Sequence, residues 1–440
     1  MSGRDGLSPR IKPVPAKKSA ILSALDVGTS KVVCLIARLD PMESSDTLRG
    51  RTHKMRVLGI GHQRSRGLKG GVVVDLDEAE RAVRLAVDAA ERMAGVHVES
   101  TIINMTGGRL ASRQFTGSVN LHRRTISDNE VHRVMDAAIS QSMTPGRSVL
   151  HSLPMGYCLD ESRHIRDPRG MIGDHLHVDM HVATCDMLAQ RNLMLAAERG
   201  HLKVEAMVAT PYASALSTLV DDEAEMGVAC IDFGGGTTSV SIFQRGRLVH
   251  CDAVAVGGNH ITMDLARGLS MRLDDAERLK TLTCSCIESA ADDRDLIAIR
   301  QVGDDARDYP NQVPRSHVTR IVKPRVEEIL ELVRDRLQRA GFALNASQRI
   351  VLTGGAAQIA GLPELARTIL TKHVRIGRPV GIQGLPDAAK SPAFATAVGL
   401  LVYPQVAALE HFEPSRGARL VATGTGGYFA RVGQWLKESF

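Results

Sequence analysis

Two short segments of this chain place an aspartate and a turn of glycine and hydroxyl residues directly after an apolar run. The first is Leu25-Asp26-Val27-Gly28-Thr29-Ser30-Lys31, and the second is Asp232-Phe233-Gly234-Gly235-Gly236-Thr237-Thr238. Glycine lets the backbone fold around an oxyanion, N–H groups and hydroxyls donate to phosphate, and an aspartate at a strand end organises a divalent cation. One such turn is as typical of a hairpin as of a phosphate site. Two copies, each opening one half of the chain, predict a nucleotide cleft.

Three further features fit the same cleft. A third glycine turn, Leu352-Thr353-Gly354-Gly355-Ala356, follows another apolar run, and Gly257-Gly258 opens a predicted helix. On the next predicted helix, Glu277 and Lys280 are three residues apart and therefore share a face. That pair is either an ordinary surface ion pair or a contact to a nucleoside.

The elements around these turns indicate an α/β protein with a duplicated fold. With 440 residues, of which 43% are hydrophobic, the chain is long enough for two or more cores. An amphipathic helix predicted over Asp77 to Met93 covers the first sheet. Between about 107 and 189 the strands become rich in arginine and histidine around a helix near Asp128 to Gln141, which indicates an inserted α+β subdomain.

Composition excludes several classes of protein. Aromatic residues make up only 3% of the chain and the net charge is +6, so the stacking surface of a single-strand nucleic-acid binder is not evident. The seven cysteines are odd in number and sit mostly singly in apolar runs, which favours reduced core residues in the cytoplasm over disulfides or zinc ligands. No apolar run reaches the roughly 18 residues needed to cross a bilayer.

The two ends of the chain differ from the rest. Residues 1–19 are basic and contain proline, which predicts a disordered arm, and residues 403–426 have the composition of a flexible linker. The last segment, 427–440, predicts an amphipathic helix. Its apolar arc and flanking cations are Tyr428, Phe429, Arg431, Val432, Trp435, Leu436, Lys437 and Phe440. A tethered aromatic helix of this kind suits a membrane interface, although docking on the protein's own core or in a partner's groove also fits.

These motifs together resemble those of the FtsA family of bacterial cell-division proteins, which are actin-like. The segments at Asp26, Asp232 and Gly354 are similar to the family's two phosphate loops and its adenosine motif. Arg166-Asp167-Pro168-Arg169-Gly170-Met171-Ile172-Gly173 and the stretch from Val256 to Asp264 resemble this family rather than actin, sugar kinases or chaperones. The resemblance covers residues 20–402 and the tail.

The resemblance implies an actin-like (ribonuclease H-like) duplicated fold with an inserted α+β subdomain and a C-terminal amphipathic helix. It implies ATP as the ligand, Mg²⁺ held by Asp26 and Asp232 through water, and nucleoside contacts from Glu277 and Lys280. The expected partners are membrane lipids, further copies of the chain in actin-like filaments, the C-terminal peptide of the tubulin-like protein FtsZ, and other division proteins. The expected location is the cytoplasmic side of the inner membrane, at the septum.

The same resemblance divides the chain into subdomains: 20–106 with 190–220, the insertion 107–189, 221–256 with 341–402, and the nucleoside-side 257–340. One departure concerns the second loop, because Thr238-Ser239 at its end lacks an acidic residue. Two alternatives use the same fold: an ATP-dependent phosphotransferase or phosphatase, and a type IV pilus assembly protein. An enzyme would need a free carboxylate base beside the phosphates, whereas Asp26 and Asp232 are already assigned to the cation.

Overall fold

The computed structural model describes residues 7–42, 48, 50–303, 310–345 and 347–411. The predicted amphipathic helix at 427–440 and most of the predicted linker, 412–426, lie outside the described residues.

Strands and helices are mixed along the whole of the described chain. The first part contains β1 (Ala20–Val27), β2 (Lys31–Pro41), β3 (His53–Arg64), β4 (Leu68–Lys69), β5 (Val72–Val73), α1 (Leu76–Ala94) and β6 (Ser100–Met105). There follow β7 (Ala111–Thr125), α2 (Asp128–Ser142), β8 (Arg147–Leu159), β9 (Ser162–Ile165), β10 (Ile172–Asp186), α3 (Met187–Arg199), β11 (Lys203–Ala209), α4 (Thr210–Thr218) and α5 (Asp221–Met226). The last part contains β12 (Val228–Phe233), β13 (Thr238–Gln244), β14 (Arg247–Val254), α6 (Gly258–Gly268), α7 (Leu273–Thr283), β15 (Leu296–Ile299), β16 (Asn311–Pro314), α8 (Arg315–Arg339), β17 (Arg349–Thr353), α9 (Leu362–Ile369), β18 (His373–Ile376), β19 (Ile382–Gln383) and α10 (Ala395–Val406).

The two halves of the chain build sheets of the same topology. The first sheet has the strand order β11-β6-β1-β2-β3-β19, and the second has β14-β13-β12-β17-β18. In each, an aspartate-ending strand pairs antiparallel with the strand that follows it and parallel with a later one, as β1 does with β2 and β6, and β12 with β13 and β17. This repeat confirms the predicted duplication. β19, which comes from the second half of the chain, adds to the edge of the first sheet.

The insertion is a separate layer with its own core. Its sheet, β7-β10-β8-β9, is antiparallel and is covered on one face by α2. Ser127 caps this helix, because its hydroxyl accepts from the Asn129 N–H and its own backbone N–H donates to the Glu130 carboxylate. Val134, Ile139, Val178 and Met180 are fully buried between helix and sheet. The predicted α+β insertion is therefore present, and its helix has nearly the predicted bounds.

Two helices cross between the halves. α4 follows the first sheet but packs on β12 and β13, while α10 follows the second half and packs on β1 and β6. The helices contact each other at Gly399, where an added Cβ would collide with the backbone carbonyl of Ala213. The expectation that no apolar stretch is long enough to cross a bilayer is wrong by length and composition, because Pro392–Leu409 is such a stretch; 78% of it is buried inside the protein, as in a core helix.

The predicted disordered arm at 1–19 is wrong for its described part. The backbone N–H of Ser8 donates to the Val149 carbonyl and that of Val14 to the Pro404 carbonyl. The Arg10 guanidinium donates to the carbonyls of Ala407 and Glu410, both at 2.7 Å. These partners are far away in sequence, so the basic, proline-containing composition could not indicate them.

The predicted linker likewise begins too early. Tyr403 and Pro404 are buried inside α10, and the carboxylate of Glu410, also buried, lies 3.0 Å from Nδ1 of His151 in the insertion. The prediction of a flexible linker is therefore wrong for residues 403–411. The periodic apolar pattern fades there because α10 ends at Val406 and, of the residues that follow, Ala407 and Glu410 are buried whereas Leu409 is exposed.

Replacing Gly399 with alanine tests the contact between the crossing helices. We expect Gly399→Ala to lower the free energy of unfolding by about 1–3 kcal/mol, because the backbones must separate to admit a methyl group. Urea denaturation measures the change. Gly156→Ala is the matched control, because an added Cβ meets no atom within 4 Å at that position. Equal stability of the two variants would contradict the proposed close packing.

Candidate functional site

The three predicted glycine turns meet around one cavity of about 430 Å³ between the two halves of the chain. They come together because β1, β12 and β17 each end at the edge of a sheet that faces this cleft. The predicted site residues that line the cavity are Asp26, Gly28, Thr29, Ser30, Lys31, Asp232, Gly234, Gly235, Thr237, Gly258, Glu277, Lys280, Gly354, Gly355 and Ala356. The motifs and the family resemblance predicted one site for these residues, and the fold brings them together.

Three predicted residues support the loops instead of lining the cavity. An added Cβ on Gly236 would meet the side chain of Thr29, and one on Gly257 would meet the carbonyls of Gly234 and Gly235. The Thr238 hydroxyl donates to the Val256 carbonyl at 2.8 Å. Gly236 and Gly257 thus allow close packing of loop on loop, and the Thr238 hydroxyl is directed away from the cleft.

The two phosphate-type loops are also joined directly across the cleft. Ser30 Oγ donates to Oδ1 of Asn259 at 3.0 Å, and the Asn259 N–H donates to the Gly235 carbonyl at 2.7 Å. A Cβ added to Gly235 would collide with Ser30 Oγ. The first loop, the second loop and the start of α6 therefore form one continuous wall.

Several polar residues of the cavity were missed by the sequence reasoning. Asn104 Nδ2 donates to Asp26 Oδ1 at 2.8 Å, and Asn104 Oδ1 accepts from the Val27 N–H at 2.7 Å. Thr106 and Thr210 are bonded to each other beside it and line the same cavity. Their positions in the sequence could have indicated this. Asn104 lies near the end of β6 and Thr210 follows β11, and both strands run parallel in the same sheet as β1.

The two aspartates are buried, and burial disfavours their charge. Burial raises the pKa of Asp26 to about 7, Lys31 opposes this rise and Asp232 adds to it. Burial also raises the pKa of Asp232, against the hydrogen bonds from Ser214 and Thr396, the latter at 3.0 Å. Two such carboxylates in one cleft create a demand for a cation.

The Lys31 ammonium supplies only part of the positive charge that the two carboxylates need. Its Nζ donates to the Ala393 carbonyl and lies 4.0 Å from the centre of the Phe394 ring, and burial lowers its pKa. Among the described residues, no group of three or more histidine, cysteine or acidic side chains is placed to hold a metal by itself. A cation here would need water or a bound ligand to complete its coordination, as Mg²⁺ commonly does.

The other end of the cavity is built by α6 and α7. Glu277 Oε2 accepts from Lys280 Nζ at 2.6 Å, and Lys280 also donates to the Gly258 carbonyl at 3.1 Å. The Lys280 side chain is only 8% exposed and that of Glu277 is 48% exposed, so the ammonium of this pair is buried in the wall of the cavity while its carboxylate reaches the surface. Less polar residues complete this end: Leu282, Cys284, Ile359 and Ala360.

Comparison with known proteins gives the family. The model of "Cell division protein FtsA" matches residues 229–399, and that of "SHS2 domain inserted in FTSA" matches 107–184, the region of the insertion. Cell division protein FtsA of Agrobacterium fabrum is 56% identical over 433 residues, which are 98% of this chain and 98% of that protein. The chain belongs to the FtsA family. Cell division protein FtsA of Escherichia coli K12 is 30% identical over 97% of this chain and 100% of its own length.

One solved structure supports the actin-like fold of FtsA proteins for this chain. The PilM-PilN type IV pilus biogenesis complex matches with a TM-score of 0.61 and 14% identity, over 87% of this chain and 98% of that chain. At this identity the likeness shows the fold alone. Full-length similarity to FtsA relatives therefore decides between the cell-division family and the type IV pilus alternative.

The raised pKa of Asp26 predicts a pH dependence of stability. The folded protein holds the Asp26 proton more tightly than the unfolded chain, so this stabilisation is present at low pH and is lost as pH rises from about 4 to about 7. Without ligand, the free energy of unfolding of wild type, relative to Asp26→Asn, should fall by about 2 kcal/mol between about pH 5 and pH 7.5.

Urea denaturation at the two pH values measures this difference. Asp88→Asn, which changes an exposed carboxylate on α1, is the control and should follow wild type. If Asp26→Asn also followed wild type, the carboxyl of Asp26 would not be held in its protonated form by burial.

Proposed function

We propose that this chain binds ATP and Mg²⁺ in the cleft and uses them to control its assembly at the membrane during cell division. One observation carries the proposal: two aspartate and glycine loops, from equivalent strands β1 and β12, face each other across the 430 Å³ cavity. Backbone N–H groups and hydroxyls of such loops suit phosphates. The third turn and the Glu277–Lys280 pair lie where the nucleoside would extend.

The residues present fit a magnesium nucleotide. Mg²⁺ is usually bound through one or two carboxylates together with water and phosphate oxygens, and the cleft offers two buried carboxylates and no larger cluster within the described residues. We assign Asp26 and Asp232 to the hydrated cation and the two loops to the phosphates. We assign Glu277, Lys280 and the turn at residues 354–356 to the nucleoside. When bound, the cation supplies charge neutralisation for the phosphates and both aspartates.

We infer that hydrolysis is slow. The carboxylates lining the cavity are Asp26, Asp232 and Glu277 among the described residues, and Glu277 is engaged by Lys280 and Thr262. None of them is free to act as a base for an acceptor hydroxyl or a water. This favours a nucleotide-dependent switch over the phosphotransferase or phosphatase alternative. Rapid ATP turnover with a sugar acceptor would favour that alternative instead.

The proposed place of work is the cytoplasmic face of the inner membrane at the septum. Membership of the FtsA family supports a role in division, and the sequence of 427–440 supports attachment to lipid through its apolar arc. We propose that the attached protein forms actin-like filaments, binds the C-terminal peptide of FtsZ and so anchors FtsZ, and helps to recruit later division proteins.

Substitution of Gly235 tests the nucleotide site. We expect Gly235→Ala to weaken ATP binding by about tenfold or more, because the methyl group displaces Ser30 and separates the two loops. Isothermal titration with Mg²⁺ and ATP measures the affinity. Gly156→Ala, in the insertion, is the control and should bind as wild type does. Undiminished affinity of Gly235→Ala would argue against phosphates between these loops.

Removal of the tail tests the membrane attachment. We expect the chain truncated after Thr425, and the full chain carrying Trp435→Glu, to lose at least about tenfold in affinity for anionic vesicles in co-sedimentation. Glu438→Gln, on the polar side of the predicted helix, is the control and should sediment at least as well as wild type does, because it removes a negative charge near anionic lipid. Unchanged sedimentation of the truncated chain would exclude the tail as the anchor and favour its docking on the protein itself or on a partner.

A further inference from the structure

A buried carboxylate, that of Glu410, lies at the place where the described body of the chain ends. Its side chain and that of His151 in β8 are both fully buried, and Nδ1 of His151 lies 3.0 Å from Oε1 and 3.2 Å from Oε2 of Glu410. Burying a carboxylate costs its hydration, and an apolar pair of similar volume often gives a protein equal or greater stability. Stability alone therefore does not account for an acid at this position.

The other ring nitrogen of His151 connects this carboxylate to the first sheet. The backbone N–H of Ala209, the last residue of β11, donates to Nε2 of His151 at 2.8 Å. Because a backbone N–H can only donate, the proton of the neutral ring is on Nδ1, which donates to Glu410. The rings of Tyr212 and Tyr403 pack edge-on against the imidazole, with ring centres 4.9 and 5.7 Å away. His151 is therefore held in one orientation that satisfies both of its partners.

The connection continues from Ala209 into the cleft. Thr210, the next residue and the first of α4, lines the cavity, and its Oγ1 accepts from Asn104 Nδ2 at 3.1 Å. Asn104 Nδ2 also donates to Asp26 Oδ1 at 2.8 Å. A series of buried hydrogen bonds, continued by the short backbone step from 209 to 210, thus joins the carboxylate of Glu410 to that of Asp26.

The next residue along the chain, His411, makes a bond that leads elsewhere. His411 Nε2 lies 2.8 Å from Asp136 Oδ1, and the two side chains are only 11% and 10% exposed. Asp136 is in α2, which packs on the sheet of the insertion and contributes no residue to the lining of the cavity. Two neighbouring residues thus hold the same end of the body to the insertion, and one of them, Glu410, is connected to the cleft.

We propose that His151 is a positioning residue that couples nucleotide binding in the cleft to lipid attachment by segment 427–440. This inference rests on the proposed function and specifies how its two binding events communicate. A nucleotide that orders the polar residues of the cleft also holds Ala209, which lowers the cost of seating Glu410 on His151. A seated Glu410 fixes the point from which the C-terminal segment starts, and so removes freedom that lipid attachment would otherwise have to remove. By linkage, ATP and lipid then tighten each other's binding by the same factor.

The test measures vesicle binding by the full chain with and without nucleotide. Co-sedimentation with anionic vesicles is carried out in Mg²⁺ with ATP and in Mg²⁺ alone, at many vesicles per chain so that assembly does not contribute. The variants are Glu410→Leu, Glu410→Gln and the matched control His411→Leu. We expect ATP to tighten vesicle binding by wild type and by His411→Leu about fivefold or more.

The two substitutions of Glu410 should differ from each other. We expect Glu410→Leu to reduce the effect of ATP on vesicle binding to about twofold or less, because Nδ1 of His151 loses its acceptor. Glu410→Gln should restore most of the effect, because its amide oxygen can accept the same proton. A side chain that merely filled space at this position would give the opposite order, since leucine packs in an apolar site better than glutamine does.

Each other outcome contradicts the inference in a recognisable way. If ATP and vesicles each bind to wild type but do not affect each other, the inference is overturned and the proposed function stands. An undiminished effect of ATP in Glu410→Leu would overturn it as well. Equal reductions in Glu410→Leu and His411→Leu would show that the end of the body is held without any special connection to the cleft. Failure of wild type to bind ATP or vesicles would overturn the proposed function, and the inference with it.

A second measurement separates this coupling from a folding defect. Each leucine variant removes one buried polar contact, so in urea without ligand we expect Glu410→Leu and His411→Leu to unfold at about the same concentration. At equal stability, a loss of the ATP effect in Glu410→Leu alone reports the connection through His151. Much lower stability of Glu410→Leu, together with no rescue of the ATP effect by Glu410→Gln, would assign Glu410 to folding and overturn the inference.

Discussion

The burial of two like charges in one cleft is the constraint on which the rest of this structure depends. Asp26 and Asp232 end equivalent strands, are 7% and 6% exposed, and have pKa values that burial raises. Each is held by neutral donors, Asn104 for Asp26 and Thr396 for Asp232. One buried ammonium, that of Lys31, is shared between them. A ligand that brings positive charge into the cleft would therefore stabilise both halves of the protein at once.

The two crossing helices, α4 and α10, connect the aspartates of the cleft to the contact between the two halves of the chain. Thr396, which donates to Asp232, is on the first turn of α10, and the same helix packs at Gly399 against α4. Lys31 reaches the residues just before that helix, at Ala393 and Phe394. The end of the cleft that holds Asp232 and Lys31 is thus connected, through few contacts, to the helices that join the two halves.

The far end of α10 is tied to both the N-terminal segment and the insertion. Arg10 binds the carbonyls of Ala407 and Glu410, and the Glu410 carboxylate meets His151. His411 Nε2 lies 2.8 Å from Asp136 Oδ1 in α2. The chain therefore leaves the described body at a defined place beside the insertion. Any attachment made by the segment that follows would act on the insertion and on α10 together.

The sequence by itself determined the features that local chemistry controls. Glycine turns after apolar runs, the amphipathic pattern of α1 and the capped helix α2 depend on neighbours within a few residues, and the structure has them all. The meeting of the three turns was also predictable, because duplicated strands end at equivalent sheet edges. Only the tertiary structure decided that the hydroxyl of Thr238 turns to the Val256 carbonyl instead of the cleft, that Asn104 supports Asp26, and that residues 7–19 pack on the body. Each of these depends on strand facing or on partners that lie tens to hundreds of residues away, which composition and spacing do not encode.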